Sequence, residues 1–271
     1  MHVLILNVPP AGWGASTAAA LGAVAGLTIF IGLPVARLHG LPKGAQGFLN
    51  AIATGVLVFL LFDILSNASQ PVNAALGHYR AGDRGLFWEL VTIFAGGLAF
   101  GLLSLVYLNT RVLSRLRGGG DPRALALMIA TGLGFHNLSE GLAIGQSAAT
   151  GAVAFAGVLV IGFALHNVTE GFGIAAPMTA APRPASWPFL AITGLVGGGP
   201  TFIGTLIGYV ATSPYFYVLF LALAAGAIIY VLNELFTLGR KLNTPAWMGW
   251  GLALGFLAAY ATDLFLTYLA V

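Results

Sequence analysis

The sequence is poor in charged residues. Only 7% of its 271 residues are Asp, Glu, Lys or Arg, whereas 58% are hydrophobic. Soluble domains carry about 25% charged residues, and a fold of this length with so few charges could not cover its surface in water. The composition therefore excludes a water-soluble globular domain and predicts a membrane protein.

Cysteine is absent, and basic residues are few. Without cysteine the chain has no disulfide framework and offers no thiolate to a metal ion. Only four methionines are present, so the soft ligands that select Cu⁺ are scarce. The 11 Lys and Arg residues lie between apolar runs and are not interleaved with aromatic residues. We therefore expect no nucleic-acid partner, and the lipid bilayer is the expected surrounding.

Long apolar runs fill most of the chain. A helix that crosses a bilayer needs about 20 mostly apolar residues. Eight segments of that length are separated by Pro- and Gly-rich connections such as HGLPKG and APRPASWP. The sequence predicts an all-α polytopic membrane protein with a single transmembrane domain over 1–271. Its eight helices are predicted at about residues 14–36, 46–66, 87–109, 122–148, 151–176, 188–211, 214–238 and 246–270.

Lys and Arg are distributed unevenly over the connections between these helices. Nine of the eleven fall at odd-numbered connections, and only Arg80 and Arg84 fall on the opposite side. Positive residues concentrate on the cytoplasmic side of membrane proteins. We therefore predict that the odd-numbered connections are cytoplasmic and that both termini are extracytoplasmic. The predicted location is the inner (plasma) membrane of the cell.

Two segments, AIATGVLVFLLFDIL and ALAAGAIIYVLNELF, resemble each other on the second and seventh helices. Each has a glycine eight residues before an acid: Gly55 precedes Asp63, and Gly226 precedes Glu234. The second and seventh helices run in opposite directions. The similarity therefore predicts an inverted repeat of helices 1–3 and 6–8 around helices 4 and 5. Inverted repeats are a common transporter construction, and this one gives a 3+2+3 arrangement.

Most of the acidic residues lie inside the predicted spans, where an acid at a helix centre costs about 2.5–3.5 kcal/mol. The spans contain no Lys, and their only Arg is Arg123, at a helix end. Protons or bound cations must therefore neutralise these carboxylates. Apart from Glu89, at the start of the third span, these acids are Asp63, Glu140, Glu170, Glu234 and Asp263.

A six-residue motif occurs twice, as HNLSEG (136–141) and HNVTEG (166–171). Each copy places a His and a Glu four residues apart, on one face of a helix. The two helices are predicted to be antiparallel neighbours, with both motifs near mid-membrane. Two imidazoles, two carboxylates and two amide oxygens suit a divalent ion such as Zn²⁺, Fe²⁺ or Mn²⁺. The candidate ligands are His136, Asn137, Glu140, His166, Asn167 and Glu170.

The duplicated motif resembles the signature of the ZIP (Zrt/Irt-like) metal-ion transporters, especially their bacterial members. The similarity extends to the eight helices, to AAGAIIYVLNEL on helix 7 and to a GLV…P segment on helix 6. It implies a helical bundle with a two-metal centre between helices 4 and 5. It also implies import of Zn²⁺, or of Fe²⁺, Mn²⁺ or Cd²⁺, often by a homodimer. The motif residues would be the central ligands, with Glu234 near the inner exit and Asp63 and Asp263 near the outer entrance.

The chain departs from its bacterial relatives on helix 6. Those relatives often have a glutamate in a GLVEP-like segment, where it bridges the second metal, whereas this chain has GLVGGGP (194–200). Two divalent ions would bring four positive charges, and Glu140 and Glu170 return only two negative ones. The low dielectric at mid-membrane magnifies the remaining repulsion, so we predict one tightly held ion and a weak second position. The GGGP run also predicts either a break in helix 6 or close packing.

Two other function classes fit parts of the sequence. An intramembrane metal-dependent hydrolase or oxidase could use the same ligands, but it would need an open coordination position and a further general base. The chain contains no HExxH, no GxSxG and no multi-histidine oxidase cluster. A structural bundle, in which each His-Glu pair is only hydrogen-bonded, would leave the remaining acids without partners. The sequence therefore predicts a transporter and not an enzyme.

Overall fold

The computed structural model describes residues 5–6, 13–38, 40–80, 85–113 and 121–270. Long helices account for nearly all of these residues, so the predicted all-α class is confirmed. Arg84, Arg115 and Arg117, which contribute to the charge asymmetry, lie outside the described residues. The helices are α1 (Ala15–Leu27, continued after Thr28 as Ile29–Gly32), α2 (Lys43–Arg80), α3 (Gly85–Tyr107), α4 (Pro122–Ala149), α5 (Val153–Ala175), α6 (Trp187–Val210), α7 (Pro214–Leu242) and α8 (Pro245–Ala270).

Short elements extend several of these helices. A 3₁₀ turn at Leu33–Arg37 follows α1, another at Ala176–Ala180 follows α5, and a π-helical turn at Leu108–Leu113 follows α3. Two residues, Ile5–Leu6, pair antiparallel with Ala211–Thr212 just after α6.

Local signals in the sequence fix several helix ends. Pro122 begins α4 directly after Asp121, whose side chain accepts a hydrogen bond from the backbone N–H of Arg123 at 2.9 Å. This is a capped N-terminus with proline at the first helical position, which needs no backbone donor there. Asn243 ends α7 in the left-handed conformation with φ 53°, and Pro245 then starts α8.

Seven of the eight helices are long and apolar enough to span a membrane, which is consistent with a multi-pass membrane protein. The exception by composition is α4, which has 28 residues but a more polar sequence. Most of α4 is buried against other helices, so its His, Asn, Ser and Glu side chains lie on faces that lipid would not touch. The prediction of eight apolar spans therefore holds for seven helices.

The second helix is longer than predicted. The sequence predicts its end near residue 66, whereas α2 continues through Pro71 to Arg80. A proline inside a helix removes a backbone hydrogen bond and costs about 3 kcal/mol. The extension persists because Ala75 packs with Leu90 of α3 and Val218 of α7 in one apolar cluster. Tertiary packing therefore outweighs the local stop signal.

Four helices, α1, α4, α5 and α6, contact one another through glycines. A Cβ atom added to Gly141 of α4 would overlap the backbone of Thr201 on α6. A Cβ atom on Gly198 of α6 would overlap the carbonyl oxygen of Gly26 on α1, and Gly171 of α5 also abuts the α1 backbone. We call these four helices unit A. Such close contacts are typical of small residues at helix interfaces in membranes.

The other four helices pack in two pairs of the same kind. A Cβ atom on Gly55 of α2 would overlap the α8 backbone, and one on Gly226 of α7 would overlap the carbonyl oxygen of Leu98 on α3. Asn50 then joins the pairs, because its Nδ2 donates from α2 to the Leu235 carbonyl of α7 at 3.1 Å. We call α2, α3, α7 and α8 unit B.

The contact between unit A and unit B is made by side chains. A Cβ atom on Gly132 of α4 would lie 3.2 Å from the Cβ of Ala227 on α7. Among the described glycines, each one whose added Cβ would overlap a backbone atom faces a helix of its own unit. An apolar cluster fills the junction and includes Leu57, Leu60, Ile129, Leu133, Ala225 and Ile228.

The GGGP run does not interrupt α6. The helix is continuous from Trp187 to Val210, with Pro200 inside it. Of the two structures that the sequence allows here, a break is therefore wrong and close packing is confirmed, since Gly198 lies against Gly26 of α1.

Two adjacent glycines of α6 provide a stability test. Gly198→Ala would drive a Cβ atom into the Gly26 carbonyl, whereas nothing lies within 4 Å of a Cβ atom added to Gly199. We expect Gly198→Ala to destabilise the protein by about 1–3 kcal/mol through overpacking. Gly199→Ala should stabilise it by up to about 1 kcal/mol through helix propensity. Unfolding of the two purified variants in detergent measures both changes in stability. Equal changes for the two variants would contradict the close α1–α6 contact.

Candidate metal centre

The two HNxxEG motifs face each other across α4 and α5. Gly141 and Gly171, which end the motifs, bring the backbones of α6 and α1 directly beside them. The side chains of His136, Glu140 and His166 share a cavity with residues of α2, α7 and α8, at the junction between unit A and unit B. Asn137 and Asn167 instead bond to carbonyls of α6 and α1 within unit A. The buried charged and imidazole groups are His136, Glu140, His166 and Glu170.

Three of these side chains converge closely enough to hold one ion. One ligand atom from each of His136, Glu140 and His166 lies within 4.8 Å of the others. Nε2 of His136 is 3.3 Å from Oε1 of Glu140, and the centres of the two imidazole rings are 6.0 Å apart. Ligands at about 2.0–2.1 Å from a tetrahedral Zn²⁺ are roughly 3.4 Å from one another. Small side-chain rotations would therefore bring all three groups onto one ion.

Glu170 faces the same two imidazoles from α5. Its Oε1 lies 3.7 Å from Nε2 of His166 and 4.0 Å from Nε2 of His136. It lies outside the tightest group of three, so it would reach a shared ion only after a further shift.

Several buried atoms of this centre have no hydrogen-bond partner among the described residues. Leaving a buried polar atom unpaired costs about 1–3 kcal/mol. A divalent cation that accepts one nitrogen from each imidazole, together with carboxylate oxygens, would satisfy most of them, so the residues present fit a metal ion. The unpaired atoms are Nδ1 and Nε2 of His136, Nε2 of His166, Oε2 of Glu140 and Oε1 of Glu170.

Asn137 and Asn167 form a hydrogen-bonded chain beside the four ionisable residues. Nδ2 of Asn137 donates to Oδ1 of Asn167 at 2.8 Å, and Nδ2 of Asn167 donates to the Ala25 carbonyl of α1 at 3.1 Å. Asn137 also donates to Glu170 and to the backbone carbonyl of Gly197. Both amides are fully buried. The sequence predicts their oxygens as ligands. Here Oδ1 of Asn167 accepts from Asn137, and Oδ1 of Asn137 has no hydrogen-bond partner in the described part of the chain.

The missing acid on α6 has a structural counterpart. The backbone carbonyl of Gly197 accepts from Asn137 at 3.0 Å, so this part of α6 contributes an oxygen without a side chain. A Cβ atom added to Gly197 would point elsewhere, 2.9 Å from Cδ1 of Ile29 and 3.1 Å from Cδ1 of Ile174. No sequence pattern points to this carbonyl, because every residue has a backbone oxygen.

A cavity of about 550 Å³ joins the centre to one end of the bundle. One of its walls is polar and comes from α2 and α8, with Asp63 and Asp263 together. His136, Glu140 and His166 form its deep end. The opposite wall is apolar and comes from α5, with Phe155, Val158, Leu159 and Phe163.

Sequence reasoning missed several polar residues of this cavity. Asn67 donates to Oδ1 of Asp63 at 2.9 Å, and Gln70 donates to Oδ1 of Asn67 at 3.2 Å. Tyr217 of α7 lines the same space. Asn67 and Gln70 follow Asp63 by four and seven residues, a spacing that puts all three on one helix face. That spacing was an available signal for the extension of α2.

Glu234 is not among the residues that line this cavity. It is half-buried further along α7, beside the hydroxyl of Tyr230. That hydroxyl accepts a hydrogen bond from Nδ2 of Asn109 at 2.5 Å, in the π-helical turn after α3. The structure therefore places Asp63 and Asp263 with the central residues and Glu234 apart from them.

The donor set decides what this centre can bind. Imidazole and carboxylate groups favour Zn²⁺, Fe²⁺ and Mn²⁺, and none of the soft sulfur ligands that select Cu⁺ is among the converging residues.

A scan against models of known protein families finds no match to the chain, and a search of curated proteins finds none either.

Proposed function

We propose that the protein is a transporter that moves divalent metal ions, Zn²⁺ foremost, across the inner (plasma) membrane into the cytoplasm. One observation carries the proposal. The buried group of His136, Glu140 and His166 lies at the deep end of an acid-lined cavity, among helices apolar enough to span a membrane. Fe²⁺, Mn²⁺ and Cd²⁺ are further candidate ions, because these ligands do not single out zinc.

The proposed route begins at the two acids of the cavity. Asp63 and Asp263 attract hydrated cations, and the low-dielectric walls around them strengthen that attraction. The ion then exchanges water for His136, Glu140 and His166. Glu234 receives it at the other end of the bundle.

Release on the far side requires a movement of unit A relative to unit B. Ile129 and Leu133, one to two turns before His136, pack with Leu60 and Ile228 of unit B and close the route. Each unit is held by backbone contacts at glycines, whereas the junction consists of side chains. Rocking of unit A against unit B is therefore the movement with the fewest close contacts to break.

We also propose the inverted 3+2+3 arrangement. The equivalent glycines Gly55 and Gly226 make equivalent contacts, one with α8 and the other with α3. The motif glycines Gly141 and Gly171 contact α6 and α1, which are the first helices of the two repeats. Exchanging α1–α3 with α6–α8, and α4 with α5, maps each of these contacts onto its counterpart.

The resemblance of the two motifs to those of ZIP transporters supports the same function, and we propose membership of that family. An intramembrane metalloenzyme has less support. A reaction at His136 and His166 has no use for further carboxylates along the helices, whereas a transport route needs them. Asp63, Asp263 and Glu234 are such carboxylates.

Cysteine labelling tests the proposed orientation, because the chain has no cysteine of its own. Asn73 and Thr150 are exposed on the side that we propose to be outside, and Pro182 is exposed on the other. In intact cells, a membrane-impermeant thiol reagent should modify Asn73→Cys and Thr150→Cys but not Pro182→Cys. Lysed cells, in which all three should react, are the control. Modification of only Pro182→Cys in intact cells would reverse the orientation.

Metal accumulation by whole cells tests the proposed function and its direction. Cells that express the protein should contain more zinc than cells that express the Glu140→Gln variant at the same level, after growth in the same medium. The total metal content of washed cells measures this. Equal contents would contradict transport, and a lower content with the wild-type protein would indicate export.

A further inference from the structure

Three oxygen atoms converge on one atom beside the metal centre. Nδ2 of Asn137 lies 2.8 Å from Oδ1 of Asn167, 2.8 Å from Oε2 of Glu170 and 3.0 Å from the backbone oxygen of Gly197. All of the side chains involved are buried, and they come from α4 and α5, while the carbonyl comes from α6. We call the three acceptors the oxygen trio.

The number of protons does not match the number of acceptors. An amide nitrogen carries two protons, and the oxygen trio offers three acceptors, one of which is a carboxylate. The oxygen of the same amide, Oδ1 of Asn137, has no hydrogen-bond partner among the described residues. The nitrogen must face the trio, because turning the amide would set a fourth oxygen against three others. A carboxylate, an amide oxygen and a backbone carbonyl are also the oxygen ligands that hard cations take in proteins.

We propose that the side-chain amide of Asn137 occupies the position of a second cation, so that the centre binds one divalent ion. This inference rests on the proposed function, because it presumes that His136, Glu140 and His166 bind the transported metal. The amide nitrogen of Asn137 fills the space beside this metal site, between the oxygens of the trio. The partial positive charge of the amide protons takes the place of the ion among the oxygen trio.

The same arrangement gives the two carboxylate oxygens of Glu170 different neighbours. Oε2 of Glu170 is held by Asn137, which leaves Oε1 to face the two histidines at 3.7 Å and 4.0 Å. Oε2 of Glu140 has no hydrogen-bond partner within the residues that the structure describes. Asn137 therefore acts as a positioning residue that presents one oxygen of Glu170 to the first ion.

Metal stoichiometry tests this inference directly. The purified wild-type protein should bind one Zn²⁺ per chain at free concentrations about tenfold above its dissociation constant. Asn137→Ala removes the amide and leaves the oxygen trio unpaired, so it should bind two. Asn137→Asp has the same size but cannot donate to the trio, and it should also bind two. Metal analysis after equilibrium dialysis gives the number of ions per chain.

Two matched variants separate the amide from other causes. Asn50→Ala removes an equally buried asparagine in unit B, away from the trio, and should keep one ion. Asn167→Asp adds the same negative charge as Asn137→Asp but leaves the amide of Asn137 in place, and should also keep one. Two ions in Asn167→Asp would show that charge, and not the amide, excludes the second ion.

The possible failures are distinct. Wild-type protein without bound metal would overturn the proposed function as well. Two ions in the wild-type protein would overturn this inference alone, and so would a single ion in a folded Asn137→Ala or Asn137→Asp variant. If neither variant folds, the wild-type stoichiometry decides.

Discussion

Replacing His166 with alanine is expected to lower the affinity of the protein for Zn²⁺ by at least about 100-fold. Even the partners that only orient a metal ligand change affinity by about 10–100-fold, and His166 is proposed to bind the ion directly. Its Nε2 is buried without a hydrogen-bond partner among the described residues, so the substitution removes a ligand and breaks no hydrogen bond of that atom. Binding of ⁶⁵Zn to the purified variant measures the effect.

The control for this experiment is Asn50→Ala, which truncates another buried polar side chain far from the centre. Both variants should show cooperative unfolding in detergent, and only His166→Ala should lose binding. Wild-type affinity in a folded His166→Ala variant would remove this histidine from the site.

Replacing Asp63 with lysine is expected to reduce the rate of metal uptake on the order of 100-fold or more. Asp63 lines the cavity that leads to His136, so a lysine there would put a positive charge in the path of the ion. Two unit charges 4 Å apart repel by about 4 kcal/mol at an effective dielectric of 20, and a divalent ion doubles that repulsion. Asp63→Asn removes the attraction without adding repulsion, so its effect should be smaller.

The matched control is Glu89→Lys, which makes the same change of charge on α3. Glu89 is exposed, accepts a hydrogen bond from Tyr215 and does not line the cavity. Initial uptake rates should fall for Asp63→Lys and change little for Glu89→Lys. Equal rates for the two lysine variants would show that the ion does not pass Asp63.

Much of the fold could be predicted from the sequence, because apolar length and helix breakers are local properties. The helix boundaries around Asp121 and Pro122 follow from such signals. The extension of α2 beyond residue 66 does not, because Pro71 is a local stop signal and the contacts of Ala75 with α3 and α7 are distant in sequence. The grouping of helices into unit A and unit B is also invisible locally, since it depends on which backbone each glycine meets.

The central site was predictable for a different reason. A duplicated His-x-x-x-Glu on neighbouring antiparallel helices has few ways to pack, and His136, Glu140 and His166 do converge. The position of Asp63 beside the cavity was predictable from the depth in the membrane that the sequence predicts for this residue. The role of Asn137 does not follow from spacing, because spacing places a side chain on a helix face without telling whether its oxygen or its nitrogen points to the neighbours. The carbonyl of Gly197 and the pairing of Asn109 with Tyr230 likewise depend on tertiary contacts.

The most direct test of the account is metal flux into liposomes that contain only the purified protein and an entrapped zinc-sensitive dye. Wild-type protein should give a saturable rise in fluorescence when Zn²⁺ is added outside, and Asn50→Ala should give the same. Glu140→Gln, reconstituted at the same density, should stay at the level of protein-free liposomes. Flux through Glu140→Gln at the wild-type rate would contradict passage through the buried His/Glu centre, and the absence of flux with the wild-type protein would contradict transport itself.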